Sequence, residues 1–360
     1  MCCNPAEATL LPCLCCKNKV FIVTGANTGI GFETSKELAL LGGHVVLGCR
    51  NRTKAQKALA LCNQELQECG RGGSVEYLPL SLDSTNSINL FVKQFQAKHT
   101  RLDCIVCSAG INTTSDPDND VFAVNFMSHF YLVSLLLDML RDTGTIQSPA
   151  RVVTLSSAMH VAIPKHKHNL VAWDEIQAQG SSEIYSYSKL ALHLMANYIN
   201  HHEAPLIRGI SVNPGAVNSQ IWRGSSTFVQ SLAGLLFLST KQGSQPSVYG
   251  AASPSIVTMV RHGDAAANIY LTPYMPVVAQ CRSRWYCCCC SSSSSPICQR
   301  SCLLLTNVME ATCGCCLFGG ACVGDMSNVA KDEQEAEHLW KYARKACMIH
   351  KRQVDTIKKD

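Results

Sequence analysis

From about residue 18 the chain alternates between short, uninterrupted apolar runs and longer stretches whose apolar positions recur every three to four residues. The runs VFIVTG (20–25), HVVLGC (44–49), VEYLPL (75–80), CIVCSAG (104–110), RVVTLSS (151–157) and GISVNPG (209–215) are bounded by glycine or turn residues. A strand buried on both faces of a parallel sheet reads as such a continuous apolar run. Amphipathic stretches near 33–41, 54–69, 85–98, 120–140 and 183–202 lie between them. Strand–helix alternation of this kind predicts an α/β domain built on a doubly wound parallel sheet, Rossmann-like. In such sheets ligands sit beyond the carboxyl ends of the strands, so the residues just after each run are where chemistry should gather.

Those residues form a set. After the first run comes TGANTGIG, comprising Gly25, Asn27, Thr28, Gly29, Ile30 and Gly31. Glycine admits unusual dihedrals and lets the backbone approach a pyrophosphate at the following helix N-terminus. The loop follows a predicted strand and opens a predicted helix, which is the context a dinucleotide-binding turn requires. The second run ends at Arg50, with Arg52 and Lys54 close behind. An NAD site usually places a carboxylate there for the ribose 2′-hydroxyl, whereas a guanidinium suits a 2′-phosphate, so NADP(H) is the expected cofactor. The third run leads into LSLDS, which contains Leu82, and the fourth into Ser108, Ala109 and Gly110. The fifth ends at Ser156 and Ser157, the sixth at Pro214 and Gly215.

The segment YSYSK (185–189) carries the remaining chemistry. On a helix Tyr185 and Lys189, four apart, share one face. An ammonium beside a phenol favours the phenolate and so lowers the phenol's pKa, which suits proton transfer. The spacing is common on helix surfaces. Here a Ser, a Tyr and a Lys converge on one rim of the sheet beside the glycine loop.

Composition narrows the class. The chain has 360 residues, 47% hydrophobic and 16% charged, with a net charge of +5. That balance fits a folded globular protein and lacks the concentrated basic character of a nucleic-acid binder. No uninterrupted apolar run reaches the roughly 20 residues of a membrane-spanning helix. Five of the 22 cysteines lie in the first sixteen residues and eleven between 281 and 322, leaving five from 17 to 280 and Cys347. A disulfide framework would spread through the part that needs stapling, so a reduced, cytoplasmic core with two cysteine-rich appendages is expected. The predicted organisation is a tail (1–16), a dinucleotide-binding domain (17–280), a cysteine- and serine-rich low-complexity insert (281–325) and a helical segment completing the domain (326–360).

In order and spacing, these segments resemble the short-chain dehydrogenase/reductase superfamily, most closely its retinol dehydrogenase-like branch. KVFIVTGANTGIGFETSKELALLGGHVVLGCRN, VNFMSHFYLVSLLLDML, ARVVTLSSAMH, YSYSKLALHLMA, VNPGAVNSQIW and the terminal AEHLWKYARKAC carry the resemblance. It implies that Tyr185 is the general acid or base, that Lys189 tunes it and holds the nicotinamide ribose, and that Ser157 bonds the substrate oxygen. It also implies that the backbone of Asn125 positions a water for proton relay, and that Pro214, Gly215, Val217 and Ser219 line the nicotinamide. Two features depart from the family. Its usual Asn-Asn-Ala-Gly is Cys107-Ser108-Ala109-Gly110 here, and Ser81 rather than Asp83 stands where an adenine-binding aspartate is expected. The faint strand ANIYLTP (267–273) would close the sheet.

The expected activity is carbonyl/alcohol interconversion on a lipophilic substrate such as a retinoid, sterol or fatty aldehyde. The apolar segment 222–241 would cover that substrate, lie on a membrane surface or pack on the core. A membrane-tethered NADPH-binding scaffold with little turnover is the competing reading. The insert admits S-acylation that holds the enzyme peripherally on a membrane, a zinc site through Cys287/Cys290 and Cys313/Cys316, or no defined role; no metal ligand is assigned. Relatives commonly pair through the helices that here hold 120–140 and 183–202, so a homodimer is a further expectation.

Overall fold

The computed structural model describes residues 16–70, 72–112, 120–163, 170, 176, 180–217, 238–254, 256–257, 269–273, 321–323 and 333–357. Six strands fall where the apolar runs place them: β1 (Val20–Thr24), β2 (His44–Cys49), β3 (Ser74–Pro79), β4 (Cys104–Cys107), β5 (Ala150–Leu155) and β6 (Ile207–Val212). The faint seventh run forms β7 (Ile269–Pro273), and β8 (Ala321–Val323) completes one sheet in the order β3-β2-β1-β4-β5-β6-β7-β8. Every neighbouring pair is parallel except β7–β8, where Leu271 faces Val323 in antiparallel register. β8 lies inside the stretch expected to be an insert, so the sheet recruits that stretch's last residues. Cys16, at the end of the expected tail, is buried and its amide donates to the Leu41 carbonyl at 3.0 Å.

Seven α-helices are described: α1 (Gly29–Leu40), α2 (Arg52–Cys69), α3 (Thr85–Lys98), α4 (Ser128–Thr143), α5 (Ser181–His202), α6 (Thr240–Ala252) and α7 (Glu333–Ile357). Local chemistry starts and stops them. Asn51 caps α2 by accepting from the Lys54 amide at 2.9 Å, Ser84 caps α3, and Ser239 and Gln242 form a reciprocal capping box on α6. α3 buries Ile88, Phe91, Val92 and Phe95, one stripe at helical spacing.

Two apolar cores flank the sheet. On one side Phe91, Phe95, Phe126, Phe130 and Leu194 join α3, α4 and α5; on the other Phe21, Leu38, Leu47 and Tyr249 join α1 and α6 to the strands. The three-layer arrangement confirms the single Rossmann-like domain. The strand order reverses between β1 and β4, which opens a crevice at their carboxyl ends.

The apolar outer faces of α4 and α5 are covered by α7 of the same chain. The Trp340 ring stacks on Tyr198 at 4.0 Å and meets Phe130 edge-on at 4.7 Å. Apolar positions around Tyr198 and Phe130 are therefore covered within one subunit, so their apolarity does not by itself call for the expected dimer contact. One helical stretch among the described residues, Ala123–Thr143, is long and apolar enough to cross a membrane. Phe126, Phe130, Leu132, Val133, Leu136 and Leu140 on it are nevertheless in the core.

Truncating Trp340 to Ala removes the ring that seats α7. A loss of about 3 kcal/mol is expected, read as a lower urea midpoint at unchanged slope.

Candidate active site

The glycine turn is shaped by contacts. Gly25 takes φ +65° and lies so close to β4 that a Cβ would sit 2.8 Å from the Ala109 Cα. Gly29, at φ +62°, faces open space instead. A Cβ on Gly31 would meet the Gly25 carbonyl oxygen at 2.6 Å, so α1 can start hard against the turn only with glycine there. Thr28, the N-cap of α1, makes no side-chain cap bond. The first amides of α1 are thus left to other acceptors, at the end of a helix that favours anions. An uncapped helix start, an open flank at Gly29 and a close-packed floor fit the pyrophosphate of a dinucleotide. Asn27 offers its amide to the Cys49 sulfur, and Ile30 packs into the core beneath.

Across the crevice, Thr24 Oγ1 accepts from the amides of Ser108 at 2.9 Å and Ala109 at 3.0 Å. Its proton goes to His129 Nε2, 2.8 Å away, while His129 Nδ1 donates to the Asn125 carbonyl at 2.7 Å. A carbonyl can only accept, so the ring carries its proton on Nδ1 and the direction of the whole chain follows. Burial holds His129 down to about 4, and it stays neutral. Asn125 lies in a π-turn, Ala123–Met127, where predicted helix 120–140 departs from α geometry just before α4. Its side chain clasps the Ile111 backbone from both sides at 2.8 Å and donates to Ser188 Oγ at 3.0 Å. Gly110 lies against it, its missing Cβ 3.2 Å from Asn125 Oδ1 and 3.6 Å from Lys189 Nζ.

Tyr185 and Lys189 share one face of α5, as their spacing predicts. Ser188 donates to the Tyr185 carbonyl at 2.7 Å, Tyr187 points into the core, and Ser156 Oγ donates to the Lys189 carbonyl at 2.9 Å. Ser188 of YSYSK, like Ser156 on the strand, is therefore a fastening. The Lys189 ammonium is buried, donates to the Leu155 carbonyl at 2.8 Å and lies 5.3 Å from the centre of the Tyr185 ring. Ser157 hydrogen-bonds the Tyr185 hydroxyl and caps the 3-10 turn Ala158–Ala162. Desolvation lowers Lys189 to about 8. Tyr185, however, is raised to about 12, because burial outweighs the Ser157 bond. The expectation that the lysine lowers the phenol fails in this structure. The ammonium is tied to a carbonyl over the ring and makes no bond to the hydroxyl.

The outer part of the crevice is more open. Arg50 donates to Asp83 at 2.7 Å with 70% of its side chain exposed, and Ser81 donates to the same carboxylate at 2.5 Å. The Leu82 carbonyl accepts from Ser128 Oγ, which ties this loop to α4. Pro214 and Gly215 follow β6, with Gly215 at φ +75° and its amide on Asn213 Oδ1 at 3.0 Å. Val217 is buried and bridges Leu238. Ser219 lies outside the described residues, as do Cys287, Cys290, Cys313, Cys316 and all of 222–241 except 238–241. The sequence reading missed Thr24 and His129. The only signal for them was a histidine four residues after Asn125.

Fold and site together define a dinucleotide-binding α/β domain with a Ser, a Tyr and a Lys at its crevice. The family model of the short chain dehydrogenases matches residues 19–167. Human polyprenol dehydrogenase is 32% identical over 251 residues, 66% of this chain and 74% of that one. Mouse retinol dehydrogenase 12 is 32% identical over 249 residues, with the same shares covered. The crystallised Pseudomonas aeruginosa RhlG/NADP active-site complex shares the fold at TM-score 0.55 and 19% identity, covering 67% of this chain and 92% of that one. The chain belongs to the short-chain dehydrogenase family, in its retinol dehydrogenase-like branch. It is an oxidoreductase of a family that binds a nicotinamide cofactor.

Two measurements test the site's energetics. Replacing His129 with Phe leaves the Thr24 hydroxyl only the long 3.4 Å bond to the Val106 carbonyl and takes the ring donor from the Asn125 carbonyl, and should cost about 1–3 kcal/mol in chemical unfolding. For Lys189, whose pKa is about 8 folded against 10.5 unfolded, the unfolded chain binds more protons between those values. Wild-type stability relative to Lys189→Met should therefore rise with pH across that window, by on the order of 3 kcal/mol in denaturation at successive pH values.

Proposed function

We propose that the chain interconverts a carbonyl and an alcohol on a lipophilic substrate, using NADP(H). The observation that carries this reading is the convergence of Tyr185, Ser157, Lys189 and Asn125 at the crevice mouth beside the uncapped start of α1. A nicotinamide bound there supplies the hydride. The protein's own groups do the rest. Ser157 Oγ holds the substrate oxygen, and Tyr185 Oη gives it a proton. Burial keeps Tyr185 protonated at neutral pH, the form that carbonyl reduction requires. Lys189, lowered to about 8, can exchange its proton near neutrality and so replenish the phenol. The backbone of Asn125, in the π-turn, would position a water for proton relay to the lysine.

For the cofactor's outer half, the turn amides of Gly25 to Gly31 would hold the pyrophosphate. Leu82, Ser108, Ala109 and Gly110 would floor the adenosine and ribose. Pro214, Gly215, Val217 and Ser219 would line the nicotinamide. Arg50, with donors to spare beside its Asp83 bond, would meet a 2′-phosphate. Support for a lipophilic substrate comes from Met159 and Val161, exposed apolar side chains just past Ser157. The polyprenol and retinol named for the two relatives are compatible with that rim. We read the cysteine-rich tail and the part of the 281–325 stretch before β8 as S-acylated tethers to a membrane surface, appended to the 17–280 domain that α7 completes.

The test is NADPH oxidation by the purified protein with retinal, medium-chain aldehydes and steroid ketones. Tyr185→Phe should lose ~100-fold or more of the turnover while still binding NADPH. NADPH binding without turnover of any substrate, in wild type and variant alike, would replace the enzyme with a scaffold. Turnover confined to small polar carbonyls would remove the lipophilic reading. Arg50→Ala should weaken NADPH binding by roughly 10-fold and leave NADH binding unchanged.

A further inference from the structure

At the amino-terminal edge of the sheet, opposite the crevice, three side chains distant in sequence meet. His44 opens β2, Glu76 is on β3 and His99 follows the last turn of α3. One donor atom from each lies within 4.8 Å of the other two. His99 Nε2 is 2.6 Å from Glu76 Oε1, and His44 Nε2 is 3.7 Å from the same oxygen. The rings of His44 and His99 are tilted toward each other with centroids 5.1 Å apart.

The state of His44 is informative. Its Nδ1 pairs with Ser74 Oγ at 2.7 Å, while its Nε2 is buried and makes no hydrogen bond. With Nδ1 donating to Ser74 Oγ, the tautomer that ligation requires, Nε2 presents its lone pair to the cluster. Ser74 pairs in register with His44 and lies two residues before Glu76, so all three side chains share a face of the sheet. A histidine whose second nitrogen is fixed by an outer hydrogen bond, leaving the first free and inward, has the arrangement of a metal ligand.

We propose that His44 Nε2, His99 Nε2 and Glu76 Oε1 form a binding site for a divalent transition metal of the zinc class, remote from the catalytic crevice. Two imidazoles and one carboxylate suit zinc and leave a fourth position for water, whereas calcium and magnesium prefer oxygen donors. Binding would draw Glu76, His44 and His99 inward by side-chain rotation and release the proton between His99 Nε2 and Glu76 to solvent. Lys98 Nζ, 3.0 Å from Glu76 Oε2, holds the other carboxylate oxygen and opposes the cation by its charge. The metal would clamp β2, β3 and the end of α3 together, adding stability without touching the reacting groups.

The test is zinc titration of the full chain by calorimetry, with the melting temperature followed in parallel. Accessible thiols are first alkylated so that the cysteine-rich segments do not compete. Cys49, Cys62 and Cys104, buried and raised to about 12, are spared. The wild type should bind one equivalent of zinc and melt higher with it. His44→Gln and His99→Gln should lose that equivalent and the shift while binding NADPH normally. Ser74→Ala, which removes only the orienting oxygen, should bind zinc at least ~10-fold more weakly. No zinc equivalent in the wild type, or equal affinity in the histidine variants, overturns the site. Should those variants fail to fold, unchanged affinity in Ser74→Ala overturns it.

Discussion

The burial of one ammonium group organises this molecule's working end. Lys189 is almost fully enclosed, and a buried charge is tolerated only where fixed dipoles replace its water. The Leu155 carbonyl at the end of β5 is the dipole provided, and it holds the ammonium over the face of Tyr185. Everything around the lysine serves to keep that geometry. Ser156 grips the lysine's own carbonyl, Ser188 links the helix to Asn125, and Gly110 is bare so that both Asn125 and Lys189 can approach.

A second constraint ties this centre to the glycine turn. The hydrogen-bonded chain from the Ser108 and Ala109 amides through Thr24 and His129 to the Asn125 carbonyl runs from the reversal point of the sheet to the π-turn. Its links from Thr24 through His129 to Asn125 are buried, and its polarity is set by the single group that can only accept. The glycine turn and the Asn125 centre are thus joined by one hydrogen-bonded network, and a shift in β1 relative to β4 would be felt at Asn125.

Much of this was legible in the chain itself. Strands buried on both faces leave continuous apolar runs, which is why the runs mark β1 to β6 to within three residues at either end. α1 was expected from 33 but begins at Gly29, because the glycines that form the turn also supply its first helical residues. β8 was hidden because three residues of pairing leave no periodicity. The Tyr185–Lys189 face was visible in the spacing, but the sign of the phenol's shift was not, since it depends on burial and on where the ammonium is tied. Contacts between residues far apart in sequence, such as Thr24 with His129 or His44 with Glu76 and His99, leave no local pattern to read. The same holds for α7 over α4 and α5, where an apolar helix face looks alike whether a partner or the chain's own end covers it.

The most direct measurement is isotope transfer. The full-length protein would be incubated with NADPH carrying deuterium at the hydride-donating carbon, together with retinal and a series of long-chain aldehydes, and the products weighed by mass spectrometry. A buried, protonated Tyr185 beside Ser157 predicts alcohols bearing one deuterium on the former carbonyl carbon. Bound NADPH with no deuterated alcohol from any lipophilic carbonyl would contradict the reading of this crevice as a reductase centre.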